Sequence, residues 1–131
     1  NPLIYGEFDN NILSIGGRLG VGTRNVPDSI QLAVNGTIVA KEGIITVEHF
    51  PDYVFYPNYK LMKFHDLRTF ISKNRHLPEI PSAETVEKEG LRVGEMQKLL
   101  LKKIEELTLY MIEIQNENEQ LMKRIAQLKN N

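Results

Sequence analysis

The 131-residue sequence contains no cysteine. Disulfide frameworks, Cys-x-x-Cys zinc sites and thiol nucleophiles are therefore excluded. Long hydrophobic runs are missing too. Apolar stretches end after a few residues, far short of the roughly 20 that cross a bilayer, and no membrane insertion is expected. Nor does either sign of charge dominate: 16 Lys and Arg meet 17 Asp and Glu, for a net charge of −1. A surface that tracks phosphates needs a concentrated basic excess, so no nucleic-acid partner is expected. The chain does not begin with methionine and is expected to be a piece of something longer. Finally, no proline or glycine follows Gly94. Nothing there interrupts a helix of about 35 residues, on the order of 50 Å long.

What is present falls into three zones. Residues 1–48 hold most of the glycines, with short β-prone runs between them: Ile12–Ile15, Ile30–Val34 and Thr37–Val39. Short strands bounded by Gly and Asn read as a β-rich segment. Asn35-Gly36, flanked by Leu32, Val34, Ile38 and Val39, is the strongest turn signal, because a type I′ hairpin turn needs two residues that tolerate positive φ. A kink leading one strand into the next is the other reading. The zone has few large side chains besides Tyr5 and Phe8, and on its own would leave strand edges open. Pairing with other chains would cover them.

Residues 49–94 form a mixed cap or joint with short helices. His49–Tyr59 concentrates Phe and Tyr around Pro51 and Pro57. Phe64, Leu67, Phe70 and Ile71 then follow a helical spacing that should stop near Asn74. The stretch His76-Leu-Pro-Glu-Ile-Pro-Ser-Ala83 invites a catalytic reading through His76 and Ser82. A Ser–His couple also needs an acidic orienter and an oxyanion hole, and no Gly-x-Ser-x-Gly elbow surrounds Ser82. The stretch reads instead as a stiff joint. Pro78 and Pro81 fix φ, Leu77 and Ile80 anchor on apolar surface, and Ser82 caps a helix over Ala83–Glu89 that Gly90 ends.

Residues 95–131 carry the most specific pattern. Leu100, Ile104, Leu107, Met111, Ile114, Asn118, Leu121, Ile125 and Leu128 keep a strict 4-3-4-3 spacing, which is a heptad seam. Ile104, Met111, Asn118 and Ile125 take a; Leu100, Leu107, Ile114, Leu121 and Leu128 take d. A helix of this length is marginal alone in water, and its stripe must be buried. Ile at a with Leu at d leans towards two strands, whereas Leu101 and Met122 at e widen the apolar face in a way that suits three. The seam alone leaves both open. Leu109 and Ile112 lie off the seam, so something, with the middle zone the obvious candidate, should cover the first half of the helix. A zipper-type DNA reader is excluded, because the residues before the seam are acidic and broken by Pro78, Pro81 and Gly94.

Other chemistry fares poorly. Gly17–Thr23 is not Gly-x-x-x-x-Gly-Lys-[Ser/Thr], and Asn25 stands where Gly-x-Gly-x-x-Gly needs its third glycine. His49, His65 and His76 are too far apart for a local metal motif. The carboxylates show no paired arrangement. No cofactor, metal or catalytic residue is expected.

Several pieces, taken together and in order, carry a resemblance. They are Asn1-Pro-Leu-Ile-Tyr-Gly-Glu-Phe8, Leu19-Gly-Val-Gly-Thr23, Leu32-Ala-Val-Asn-Gly-Thr-Ile38, Pro51-Asp-Tyr-Val-Phe55 and Tyr59-Lys-Leu61. Phe70-Ile71, His76–Ala83, Gly94-Glu-Met96 and Lys103–Tyr110 continue the series. Over nearly its whole length the chain resembles the C-terminal regions of tail-fibre-domain proteins of phages, contractile injection systems and bacterial surfaces. The resemblance implies a homotrimer: an intertwined β region continuing a fibre shaft, a compact cap, and a parallel three-stranded coiled coil. It implies an upstream fibre or baseplate as partner, and a place on a virion, a phage-tail-like particle or the cell surface. It also implies kinship with the intramolecular chaperone domains of tailspikes, some of which release themselves with a Ser–Lys pair. Those open with a Ser-Asp-x-x-x-Lys sequence, and no Ser-Asp dipeptide occurs here. The expected function is structural trimerisation at a fibre end. The alternatives are an adhesin tip, with Tyr53, Phe55, Tyr56 and Tyr59 contacting a host receptor or glycan, and a self-cleaving serine peptidase.

Overall fold

A computed structural model of the chain describes residues 4–7 and 9–129. The expectations placed on Asn1, Pro2, Leu3, Phe8, Asn130 and Asn131 lie outside the described residues. The fold is mixed: two small sheets, then three α-helices of which the last is long. The chain divides into two compact units, Asn1–Ile44 and Ile45–Asn131. The cap and the long helix therefore share one unit.

In the first unit, β1 (Ile4–Glu7) and β2 (Ile12–Ile15) pair antiparallel, with Ile4 opposite Ile15 and Glu7 opposite Ile12. Asn11 closes this hairpin at φ 54°, a left-handed conformation that Asn tolerates. β3 (Leu19–Val21) and β4 (Leu32–Val34) pair in parallel, Leu19 opposite Leu32. Two glycines let the loop after β3 and the residue after β4 come close. A Cβ on Gly20 would lie 2.3 Å from the Thr23 carbonyl oxygen, and Gly22 has φ +69° with the Asn35 carbonyl close by.

The hairpin expected at Asn35-Gly36 does not form. Neither residue has positive φ, which a type I′ turn requires at both. The Asn35 amide donates to the Val21 carbonyl at 2.9 Å, extending the parallel pair instead. Thr37–Val39 is not a strand: among the described residues no strand pairs with it. The run ends exposed, with Val39 94% accessible. Two-stranded sheets with open faces are marginal alone.

In the second unit, a short 3-10 helix, Pro51–Phe55, begins on proline and buries Pro51 and Val54. α1 (Phe64–Asn74) ends as its spacing predicts. Arg75 follows at φ 63°, its amide bonded back to the Ile71 carbonyl at 2.9 Å. α2 (Ala83–Glu89) is capped by Ser82, which accepts from the Thr85 amide at 3.2 Å, and Gly90 at φ 80° ends it. α3 (Val93–Lys129) runs 37 residues. It starts just before Gly94 rather than after it. A Cβ at Gly94 would come within 2.8 Å of a Val47 methyl carbon, so the glycine lets the chain at Ile45 and Val47 lie against the first turn.

The core is very small. Among the described residues only Val54, 1% exposed, and Tyr110, 8% exposed, are buried large hydrophobics. Both lie where the 3-10 helix and α1 meet α3. Apart from Pro51 and Pro78, which are also buried, every other described apolar residue is half-covered or open.

Candidate functional site

The cap and the seam use different faces of α3. With Ile104 at a, the covered residues Lys102, Lys103, Glu105, Glu106, Leu109 and Tyr110 occupy f, g, b, c, f and g. Tyr110 stacks on Phe64 with ring centroids 4.6 Å apart, and its hydroxyl donates to the Met62 carbonyl. The Tyr59 hydroxyl donates to Glu106. Burial first, and then that carboxylate, push the Tyr59 phenol far above its usual range. Leu109 is half-buried, whereas Ile112 stays exposed.

Every seam residue is left open. Leu100, Ile104, Leu107, Met111, Ile114, Leu121, Ile125 and Leu128 are all exposed large hydrophobics, and Asn118 is exposed among them. The unit therefore does not fold its own cap over the a/d stripe. Beyond Tyr110 every described residue of α3 is exposed.

His76-Leu-Pro-Glu-Ile-Pro-Ser-Ala83 is a joint with a specific geometry. The Ile80 amide donates to the Leu77 carbonyl at 3.2 Å across Pro78-Glu79, and Glu79 has φ 68°. Proline followed by positive φ is a type II turn, whose third position normally takes glycine. Glu79 accepts that conformation while its two carboxylate oxygens take Lys102 Nζ at 2.5 Å and Lys103 Nζ at 2.7 Å. Lys103 also reaches Glu106 at 2.8 Å. Partial burial opposes the charge on Glu79, but the two lysines together outweigh it and hold the carboxyl below its ordinary value. His76 and Ser82 are both spent on structure. The His76 ring packs edge-on to Phe70 with Nδ1 2.9 Å from the Leu77 carbonyl oxygen, and Ser82 serves its helix cap.

The strained turn makes a sharp prediction. Glu79→Gly relieves the left-handed backbone and loses the ion pairs, whereas Glu79→Ala keeps the strain and loses them as well. Ala should be the less stable of the two by about 1 kcal/mol. Urea unfolding of both variants reads the difference; an Ala variant as stable as the Gly variant removes the strain argument. The lowered Glu79 carboxyl contributes stability above its unfolded value, lost as pH falls through the folded one. That acid-side slope should be reduced in both.

Glu105 is a second misfit. It is 8% exposed on the face that meets the 3-10 helix, and its Oε2 has no hydrogen-bond partner. Desolvation, then the nearby Asp52 carboxylate, raise its pKa above 4.5. The folded state then binds the proton more tightly than the unfolded one, so this group favours folding at low pH and disfavours it as pH rises past 4.5. Glu105→Gln should stabilise the unit at pH 7 and change little near pH 3.5. Thermal unfolding at the two pH values tests it, and an equal effect at both would count against the buried-charge explanation.

Of the four aromatics expected at a surface site, Tyr59 turns inward to Glu106 with its ring 6.1 Å from that of Tyr53. Tyr53, Phe55 and Tyr56 stay exposed. Lys102 Nζ lies 5.8 Å from the Tyr53 ring centroid, within cation–π range. Sequence patterning missed the groove beside the seam. It measures about 650 Å³, with Leu100, Ile104 and Leu107 on one side and Met62, Leu67 and Leu77 on the other. It joins residues 23 to 45 apart in sequence, which no local spacing displays. Among the described residues there is no cluster of three metal-ligating side chains, and no helix is long and apolar enough to cross a membrane.

No family model matches the chain, and no curated protein or solved structure is similar enough to stand as a relative.

Proposed function

We propose that the chain is a non-enzymatic trimerisation and assembly module at the distal end of a tail-fibre-like protein. One observation carries the reading: the cap packs on the b, c, f and g face of α3 and leaves the whole a/d stripe open to water. Burying one Leu or Ile contributes about 1.5–3 kcal/mol, so eight apolar seam positions supply a large drive for helices to meet. Three strands follow from the resemblance to tail-fibre-domain proteins together with the apolar e positions Leu101 and Met122. The β region, with open sheet faces and an unpaired Thr37–Val39 run, interlocks with its copies around the same axis. Local helix formation is fast and non-local β pairing slow. A coil that forms first holds three β segments at high effective concentration.

The upstream fibre or baseplate is the structural partner, and the site of action is a virion, phage-tail-like particle or cell surface. The mass in solution, by light scattering after size exclusion, tests the reading. Three copies of the 15.1 kDa chain are expected; a dimer overturns the three-fold arrangement and a monomer the whole proposal. A second reading, a receptor- or glycan-binding tip, draws on the exposed rings of Tyr53, Phe55 and Tyr56 on a proline-started turn.

A further inference from the structure

We infer that the groove beside the seam is the seat of the neighbouring copy's α3, so that each cap grips the next chain's helix as well as its own. This rests on the trimer reading and adds a contact that a bare coiled coil lacks. Continuity is the first argument. Leu100, Ile104 and Leu107 belong both to the seam and to the groove wall, so a helix that covers the seam in this half of α3 enters the groove. The opposite wall is the second. Met62 and Leu77 are apolar, and each leaves about 40% of its surface exposed.

Charge is the third argument. Of the groove's charged residues, Lys102, Lys103, Glu79 and Glu106 are engaged with one another and with Tyr59, which leaves Lys60 at the edge. A charged ligand would find most of its counter-charges already taken; an apolar helix face needs none. Register is the fourth. Lys103 and Tyr110 border the groove from g positions, and in a parallel coil g faces e of the adjacent chain. The e residues opposite them, five positions further along the neighbouring chain, are Thr108 and Gln115. Both are uncharged, so the neighbour's flank brings no charge into the groove. The joint His76–Ala83 then has a purpose: its Pro78-Glu79 turn, tied to Lys102 and Lys103, holds Leu77 at the mouth where the neighbour arrives.

The native sequence has no cysteine, so single substitutions in the full chain report one site each. Leu77→Cys sits on the far wall, Leu107→Cys on the seam, and Glu87→Cys on exposed α2. Maleimide modification is followed at a concentration where light scattering shows the oligomer. Leu77→Cys and Leu107→Cys are expected to react at least about tenfold more slowly than Glu87→Cys, with all three equal in urea. Met62→Cys repeats the far-wall measurement should Leu77→Cys disturb the turn. Far-wall cysteines as reactive as Glu87→Cys, with Leu107→Cys protected, overturn the groove contact and leave the seam standing. Protection of the far wall in a monomer assigns the groove to some other occupant and also overturns it. Three fast sites on a monomer overturn both the groove contact and the trimer.

Discussion

Leu107→Lys should turn the assembled protein into separate chains while leaving the cap folded. Leu107 is 57% exposed in its own chain, so the substitution removes little from the unit that bears it. In a three-stranded coil the same d position is buried three times over. Losing three leucine burials costs about 5–9 kcal/mol per trimer. Three ammonium groups brought together near one axis add desolvation and mutual repulsion. Association should weaken by roughly a thousandfold or more. Light scattering at micromolar concentration reads the mass, and circular dichroism reads a second consequence. Beyond Tyr110 every described residue of the helix is exposed, and an isolated helix of that length is marginal. Dissociation should therefore also cost helical signal. Ile112→Lys is the control: Ile112 is equally open but sits at b, off the seam. If Leu107→Lys leaves the mass unchanged, or Ile112→Lys dissociates the protein as well, the assignment of the seam is wrong.

How much of this was legible in the sequence depends on the range over which each residue acts. Ser82, Gly90 and the end of α1 near Asn74 were readable because caps and helix periodicity are local: the partner atoms lie within four residues. The heptads were equally plain, since period 3.5 is a property of the string. Parallel pairing of β3 with β4 was not, because the ladder joins Leu19 to Leu32, Gly20 to Ala33 and Val21 to Val34, each pair 13 residues apart. Asn35-Gly36 satisfied a local turn rule, and the Val21 carbonyl captured its backbone instead. The open seam, as the candidate site, was named residue by residue. The groove escaped, and so did the αL backbone of Glu79, whose ion pairs come from lysines 23 and 24 residues away. Of the four aromatics grouped by composition, Tyr59 separated from the rest because Glu106, on another element, offered its hydroxyl a partner.

Asn118→Ile should raise the melting temperature by about 10 °C or more and loosen the choice of register. Asn118 is the sole polar residue among nine seam positions, at a, between Met111 and Ile125. Its carboxamide is exposed in the single chain and becomes enclosed when helices meet. Three amides on one axis can bond to each other, and that pairing is met only when the three chains are aligned. A slip of one heptad would set each amide against apolar side chains, with a buried polar group costing about 1–3 kcal/mol in each chain. In the proposed trimer, Asn118 thus holds the register at some cost in stability. Isoleucine removes that cost and gains roughly 1.5–3 kcal/mol of burial per chain. It also makes Ile104, Ile125 and position 118 alike, so shifted alignments come closer in energy to the correct one. Both effects are measurable on one sample: the melting curve gives the first, and light scattering across a concentration series gives the second as a spread of masses. A variant that melts no higher than the parent would mean that Asn118 is not enclosed, and the far half of α3 would then not be a coil.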